Sequence, residues 1–133
     1  MTVTETPSMH PSLTFHHCPN CGHPRKTMLE YSIACEACDY LFYLNPAVAA
    51  AGLILNEKNQ MLFIVRGKSP AKGRWALVGG FVDCGESPEK ALKRECQEEV
   101  GITIDTPSYL ACYPNTYTYK SIAYPVLDLF FTA

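Results

Sequence analysis

The chain has no apolar run approaching the roughly 18–20 residues that a membrane helix needs. Its start, Met1 to Ser12, has neither a cationic stretch nor an apolar segment. A membrane span and a secretory signal are therefore not expected. Charge of either sign is also scarce in net terms: the balance is −2 over 133 residues. That gives no electrostatic reason to expect a nucleic-acid or membrane partner. Internal repeats and low-complexity tracts are missing too. A disulfide framework would favour an even cysteine count behind a secretory signal, and this chain has seven cysteines. Four of them form two CxxC pairs, while Cys84, Cys96 and Cys112 stand apart. The pattern points to a reduced, cytoplasmic protein with a metal site. With 47% hydrophobic residues, the chain can bury a core.

What is present falls into segments. Residues 1–14 read as a flexible polar tail, and residues 15–44 hold both cysteine pairs. Asn45-Pro46 makes a turn-like joint, and residues 45–133 read as one α+β domain. Ala47–Leu55 and Met61–Arg66 flank the polar turn Asn56-Glu57-Lys58-Asn59 and predict a β-hairpin. Trp75–Val78 predicts a short strand ending at Gly79-Gly80, with Trp75 in the core. Ser87-Pro88 predicts a helix start, because Ser caps well and Pro suits the first helical position. Glu89 places a favourable charge at the positive helix end, and Gly101 marks the stop. Ser108–Tyr119 and Tyr124–Thr132 read as two further strands.

The helix carries an acidic stripe. At about 100° per residue, Glu98 lies about 60° to one side of Glu95 and Glu99 about 40° to the other. Leu92, Cys96 and Val100 border that stripe, whereas Lys90 and Lys93 fall on the far side. Like charges at three- and four-residue spacing cost roughly 0.2–0.5 kcal/mol per pair, and partial burial adds desolvation. A divalent cation would remove both penalties, and carboxylate oxygens are the ligands Mg²⁺ and Mn²⁺ prefer. A solvated acidic face is the plain alternative. The context before the helix favours the site: Gly79-Gly80 allows close approach of backbone, Asp83 and Glu86 add acids, and Arg94 can fix a carboxylate by bidentate bonding.

Gly80, then Glu86, then Arg94-Glu95-Cys96-Gln97-Glu98-Glu99-Val100-Gly101-Ile102 resembles the complete Nudix box. Cys96 fills its apolar position as a small hydrophobe, and Val78 stands where many relatives have proline. The resemblance implies an α/β/α sandwich around a mixed sheet. It also implies Mg²⁺- or Mn²⁺-dependent hydrolysis of the diphosphate linkage in a nucleoside diphosphate derivative. Carried over residue by residue, it makes Glu95, Glu98, Glu99 and Glu86 metal ligands or supports, with the Gly79 carbonyl as a further ligand. Arg94 orients Glu95. Glu98 is the first choice of general base, with a residue on a later loop as the alternative.

Cys18-Pro-Asn-Cys21 and Cys35-Glu-Ala-Cys38 read as a four-thiolate zinc site. Each pair is followed by a turn-forming residue, Gly22 and Asp39. Four sulfurs leave zinc no open position, so the role is structural, and zinc would stabilise a module too small to fold on its own core. A redox dithiol is the alternative. His16, His17 and His23 lie nearby and read as exposed or supporting. This part resembles a zinc ribbon, and a ribbon before a Nudix domain resembles the NADH pyrophosphatase and ADP-ribose pyrophosphatase subgroup. That subgroup carries a Ser-Gln-Pro-Trp-Pro-Phe-Pro array, of which Cys112–Thr118 keeps only Pro114 and an aromatic at Tyr117. ADP-ribose or another nucleotide derivative is thus implied as much as NADH.

Gly80 and Phe81 are further candidates to meet substrate, with Arg66 and Arg74 for phosphates and Tyr113 and Tyr117 for base stacking. The other C-terminal tyrosines read as sheet packing. A second functional class is a non-catalytic module, sensing a nucleotide or binding through the ribbon. The ribbon shows no basic footprint, and a sensor needs no full set of glutamates. One helix leaves a sheet face uncovered. The expectations are a truncated domain or a covering partner surface, which leaves a homodimer open.

Overall fold

The structure, a computed structural model, describes residues 9–68 and 71–133. It contains two compact units. One comprises residues 9–46 with Thr116–Pro125, and the other Ala47–Asn115 with Val126–Ala133.

In the first unit, β1 (Ser32–Ala34) and β2 (Leu41–Tyr43) form an antiparallel pair. The segment read as a tail is structured from Met9 onward, and residues 1–8 lie outside the described residues. Met9 donates to the Ser121 carbonyl and accepts from the Ala123 amide. Pro11–Thr14 is a 3₁₀ turn whose Ser12 is fully buried. The Ser12 hydroxyl donates to the Glu30 carbonyl. Arg25 donates to the carbonyls of Ser12 (2.9 Å), Phe15 (2.6 Å) and Ser32 (3.4 Å). Backbone hydrogen bonds, not hydrophobic patterning, order this polar stretch, so composition misrepresented it.

In the second unit lies most of a mixed four-stranded sheet, in which β3 (Ala47–Leu53) is central. It pairs antiparallel with β6 (Val78–Phe81) and parallel with β8 (Ile122–Thr132), and β7 (Ser108–Tyr119) lies beyond β8. Both sides of β3 are thereby taken. The hairpin expected between Ala47–Leu55 and Met61–Arg66 reduces to one bridge, Leu55↔Met61, closed by the Asn56–Gln60 turn. The second run continues as β4 (Ile64–Val65), which pairs with β5 (Trp75–Ala76). The strand expected over Trp75–Val78 is broken at Leu77, and the glycine pair lies inside β6. Trp75 is 77% exposed rather than in the core. Its partner Val65 and its ring neighbour Phe63 are also on the surface, while Ile64 between them packs on the core. Strand alternation puts Trp75 on the outer face.

The single α-helix among the described residues, α1 (Pro88–Val100), begins and ends as expected. Ser87 caps it by accepting from the Lys90 amide, and Gly101 closes it in a left-handed conformation. Ala91, Leu92 and Cys96 are fully buried against Ala50, Val78 and Phe131. Burying a side chain such as Leu92 or Phe131 contributes about 1.5–3 kcal/mol. This packing clamps the acidic face of α1 beside β6.

Candidate active site

Two adjacent glycines set the distance between β6 and its neighbours. A Cβ on Gly79 would lie 2.1 Å from the Ala50 carbonyl oxygen, and one on Gly80 2.3 Å from Glu95 Oε1. Gly79 therefore allows the strand to lie against β3, and Gly80 allows a carboxylate to rest on its backbone. The Gly79 amide donates to Glu99 Oε2 at 3.3 Å.

Arg94 gathers the remaining acids. Its Nη2 and Nε donate to the two oxygens of Glu86 at 2.7 and 3.4 Å. Its Nη1 donates to Glu95 Oε1 at 2.8 Å and to Glu98 Oε2 at 3.3 Å. Nη2 also donates to the Phe81 carbonyl at 3.0 Å, and Asp83 lies 3.8 Å away. Glu86 and Glu95 are well enclosed, with side chains 17% and 15% exposed, whereas Glu98 is 59% exposed. Bidentate bonding of this type is what a guanidinium fork provides.

The electrostatics follow from this geometry. Arg94 holds the Glu86 carboxyl below its ordinary value, helped by the Asp83 amide. Desolvation raises Glu99; the Gly79 amide and Arg66 oppose this, and Glu95 and Glu98 reinforce it. Arg66 thus acts on Glu99 through its charge. It pairs with Arg74 at the end of the β4–β5 ribbon, its amide donating to the Arg74 carbonyl at 2.9 Å. Five acids, Asp83, Glu86, Glu95, Glu98 and Glu99, face two guanidiniums, Arg94 and Arg66. A set of hard oxygen donors with excess negative charge suits Mg²⁺ or Mn²⁺.

The sequence-expected residues are mostly brought together: Glu86, Arg94, Glu95, Glu98, Glu99, Gly79, Gly80 and Phe81 are joined by the contacts above. Tyr113 instead lies against Phe130, with ring centres 6.2 Å apart, and Tyr117 is half-buried in the first unit. The Gly79 N–H and the Phe81 carbonyl escaped the sequence reading as partners of Glu99 and Arg94, because backbone direction carries no residue signature.

The cysteines form a second centre. The sulfurs of Cys18, Cys21, Cys35 and Cys38 lie within 4.8 Å of one another, the one such convergence of ligand atoms among the described residues. Cys18–Cys38 and Cys21–Cys35 are 3.8 and 3.7 Å apart. Tetrahedral zinc with bonds of about 2.3 Å places its sulfurs about 3.8 Å apart, so the cluster could hold zinc. Gly22 and Asp39 both adopt positive φ and donate their amides back to the carbonyls of Cys18 and Cys35. Asn20 was not singled out from the sequence, yet it donates to Cys18 through its amide and to Cys38 through its side chain. Those donors matter: the Asn20 side chain and the Tyr40 amide bring Cys38 down to about 7. The His23 amide lowers Cys21, but Cys38, burial and the other two thiols outweigh it and push Cys21 up to about 12. His16, His17 and His23 are exposed.

The profile of the NUDIX domain matches residues 45–130. The chain belongs to the Nudix family. Over 74 residues it is 47% identical to the ADP-ribose pyrophosphatase of Methanocaldococcus jannaschii, covering 56% of this chain and 43% of that protein. It is 33% identical over 95 residues to the NAD-capped RNA hydrolase NudC of Stutzerimonas stutzeri, covering 71% of this chain and 34% of that one. The chain thus spans less than half the length of these curated relatives. Among solved structures, the MutT protein of Methanosarcina mazei Go1 superposes with a TM-score of 0.54 at 28% identity, over 65% of this chain and 62% of that one. The RNA in the NudC name stands in tension with the expectation, drawn from net charge, of no nucleic-acid partner. No described helix is long and apolar enough to cross a membrane.

Proposed function

We propose that this Nudix domain hydrolyses the diphosphate linkage of a nucleoside diphosphate derivative, ADP-ribose or a dinucleotide such as NADH, with Mg²⁺ or Mn²⁺. The observation that carries this reading is the gathering of Glu86, Glu95 and Glu98 on one guanidinium beside the Gly79-Gly80 backbone. Glu95, Glu98, Glu99, Glu86 and the Gly79 carbonyl would hold the cation. When bound, it would neutralise diphosphate charge and lower the pKa of a coordinated water.

The chain's own residues do the rest. Arg94 fixes the orientation of Glu95 and Glu86 through hydrogen bonds to their carboxylate oxygens. Glu98, the most exposed of the three on Arg94, is free to turn toward solvent and accept a proton from the attacking water, as a general base must. Gly80 leaves room for the Glu95 carboxylate against β6, and Arg66 and Arg74 bring positive charge to the approach of a substrate phosphate. Phe81 offers an exposed ring for a base. The four cysteines bind one structural zinc, with residues 15–44 as the ribbon.

The deciding experiment is a product assay on ADP-ribose, NADH, NAD, diadenosine polyphosphate and NAD-capped RNA, with Mg²⁺ and with Mn²⁺. A diphosphate split in at least one of the small molecules, lost on chelation of the cation, is the expected result. Zinc-loaded protein that cleaves none of them would overturn the reading. Cleavage of capped RNA alone would move the substrate class to RNA.

A further inference from the structure

Four thiolates carry more negative charge than one Zn²⁺ neutralises. The excess rests on the sulfurs, and N–H groups aimed at them offset it. In this respect the two knuckles are built almost alike. Each is a CxxC pair followed by a residue at positive φ, Gly22 or Asp39, whose amide returns to the carbonyl of the first cysteine. They differ at the residue before the second cysteine, which is Asn20 in one and Ala37 in the other. Asn20 donates twice: its amide to Cys18 Sγ at 3.4 Å, and its side-chain Nδ2 to Cys38 Sγ at 3.6 Å. Cys18 belongs to the same knuckle as Asn20, whereas Cys38 belongs to the opposite one. The two sulfurs are 3.8 Å apart. Ala37 has no side-chain donor with which to return the contact.

We infer that Asn20 is a positioning residue of the thiolate site, whose side chain ties the first knuckle to the second and slows loss of the metal. The inference rests on the four-thiolate reading of the cluster. Cys18 and Cys35 are buried, while Cys21 is exposed and Cys38 half-buried. Water or a chelator therefore meets Cys21 and Cys38 first. Asn20 holds one of these two accessible sulfurs in place. A metal that lets go of Cys21 then stays on the other three until Cys21 returns. Without the Asn20 side chain, both accessible sulfurs are easier to detach, and each detachment opens a position to the competing ligand.

The test is the rate at which the full zinc-loaded chain gives up zinc to a chromophoric chelator. Affinity for Co²⁺, with its thiolate-to-metal charge-transfer band, is the second readout. Asn20→Ala should release zinc about tenfold faster and weaken Co²⁺ binding by a similar factor. Asn20→Asp keeps the size of the side chain but sets a negative acceptor against Cys38, so it should release faster still. That order separates hydrogen bonding from packing, because a space-filling role would leave Asp close to Asn. The charge-transfer band should move to lower energy in both variants, since a sulfur that loses a donor gives up electron density more easily. Circular dichroism of the zinc-loaded variants checks that they start folded. Equal release rates for Asn20, Ala and Asp would overturn the proposal, as would Asp releasing no faster than Ala, or a band that stays in place. An unsubstituted chain that binds no zinc would instead refute the four-thiolate reading, and the proposal with it.

Discussion

Glu86 accepts two hydrogen bonds from Arg94 and one from the Asp83 amide, while Glu99 has only the Gly79 amide and the more distant charge of Arg66 against desolvation and its acidic neighbours. The two carboxyls therefore link stability to pH with opposite signs. The Glu86 carboxyl is depressed, so it contributes stability above its ordinary value of 4.5, lost as pH falls through the lower, folded value. The Glu99 carboxyl is raised, so its effect favours the folded state in acid and is lost as pH rises through the folded value. In buffer free of Mg²⁺ and Mn²⁺, Glu86→Gln should lower the melting temperature near neutral pH. Glu99→Gln should raise it there, and both differences should shrink in acid; thermal melts across that range decide. Function separates from stability at Glu98, which is exposed and held only at 3.3 Å. Glu98→Gln should cut turnover by about 100-fold or more with an unchanged melt. The glycines split the same way. Gly79→Ala drives a Cβ into the Ala50 carbonyl and should cost about 2–4 kcal/mol by chemical denaturation. Gly80→Ala meets only the movable end of Glu95, so it should reduce activity more than stability.

At the scale of elements, α1 was legible because each of its signals is local. Ser87, Pro88, Glu89 and Gly101 act within a few residues of themselves, and the 3.6-residue period puts Leu92 and Cys96 on one buried side. Ser87→Ala should accordingly destabilise the fold by about 1 kcal/mol, measured by urea titration, with activity retained below the melt. The acids on α1 were legible for the same reason, as was the knuckle geometry around Gly22 and Asp39. What was not legible depended on distant partners. The run Ala47–Leu53 gave no sign that β8, from the far end of the chain, would pair with it in parallel. Once β6 and β8 occupy both sides, the local turn at Asn56 can close only one bridge. Trp75 was misplaced because composition cannot tell which face of a two-residue strand meets the core. Met9–Phe15 was missed because its order comes from the Arg25 and Ser12 hydrogen bonds to backbone, which hydrophobic patterning does not register.

For the whole molecule, the two units are stabilised by different means. The cluster of Ala50, Ile54, Val78, Ala91, Leu92, Cys96, Ile104 and Phe131 belongs entirely to the second unit. In the first, the strands β1 and β2 have three residues each, and the buried positions include Cys18, Ile33 and Cys35. With so little apolar area, zinc held by the four thiolates would be the main source of folding free energy, as in other small thiolate modules. One zinc per chain is the expected stoichiometry by elemental analysis. Cys35→Ser removes one of four ligands and should lose the metal; zinc retained at one equivalent in that variant would refute the four-thiolate site. The consequence should be regional. Amide exchange should accelerate over Cys18–Tyr43, where Cys18, Gly22, Cys35 and Asp39 close the knuckles through backbone hydrogen bonds. Amides of α1 should keep their protection, because its buried contacts are all within the second unit. Equal acceleration in α1 and in the knuckles would mean that the ribbon's metal is required by the catalytic fold itself, and the separation drawn between the two centres would fail.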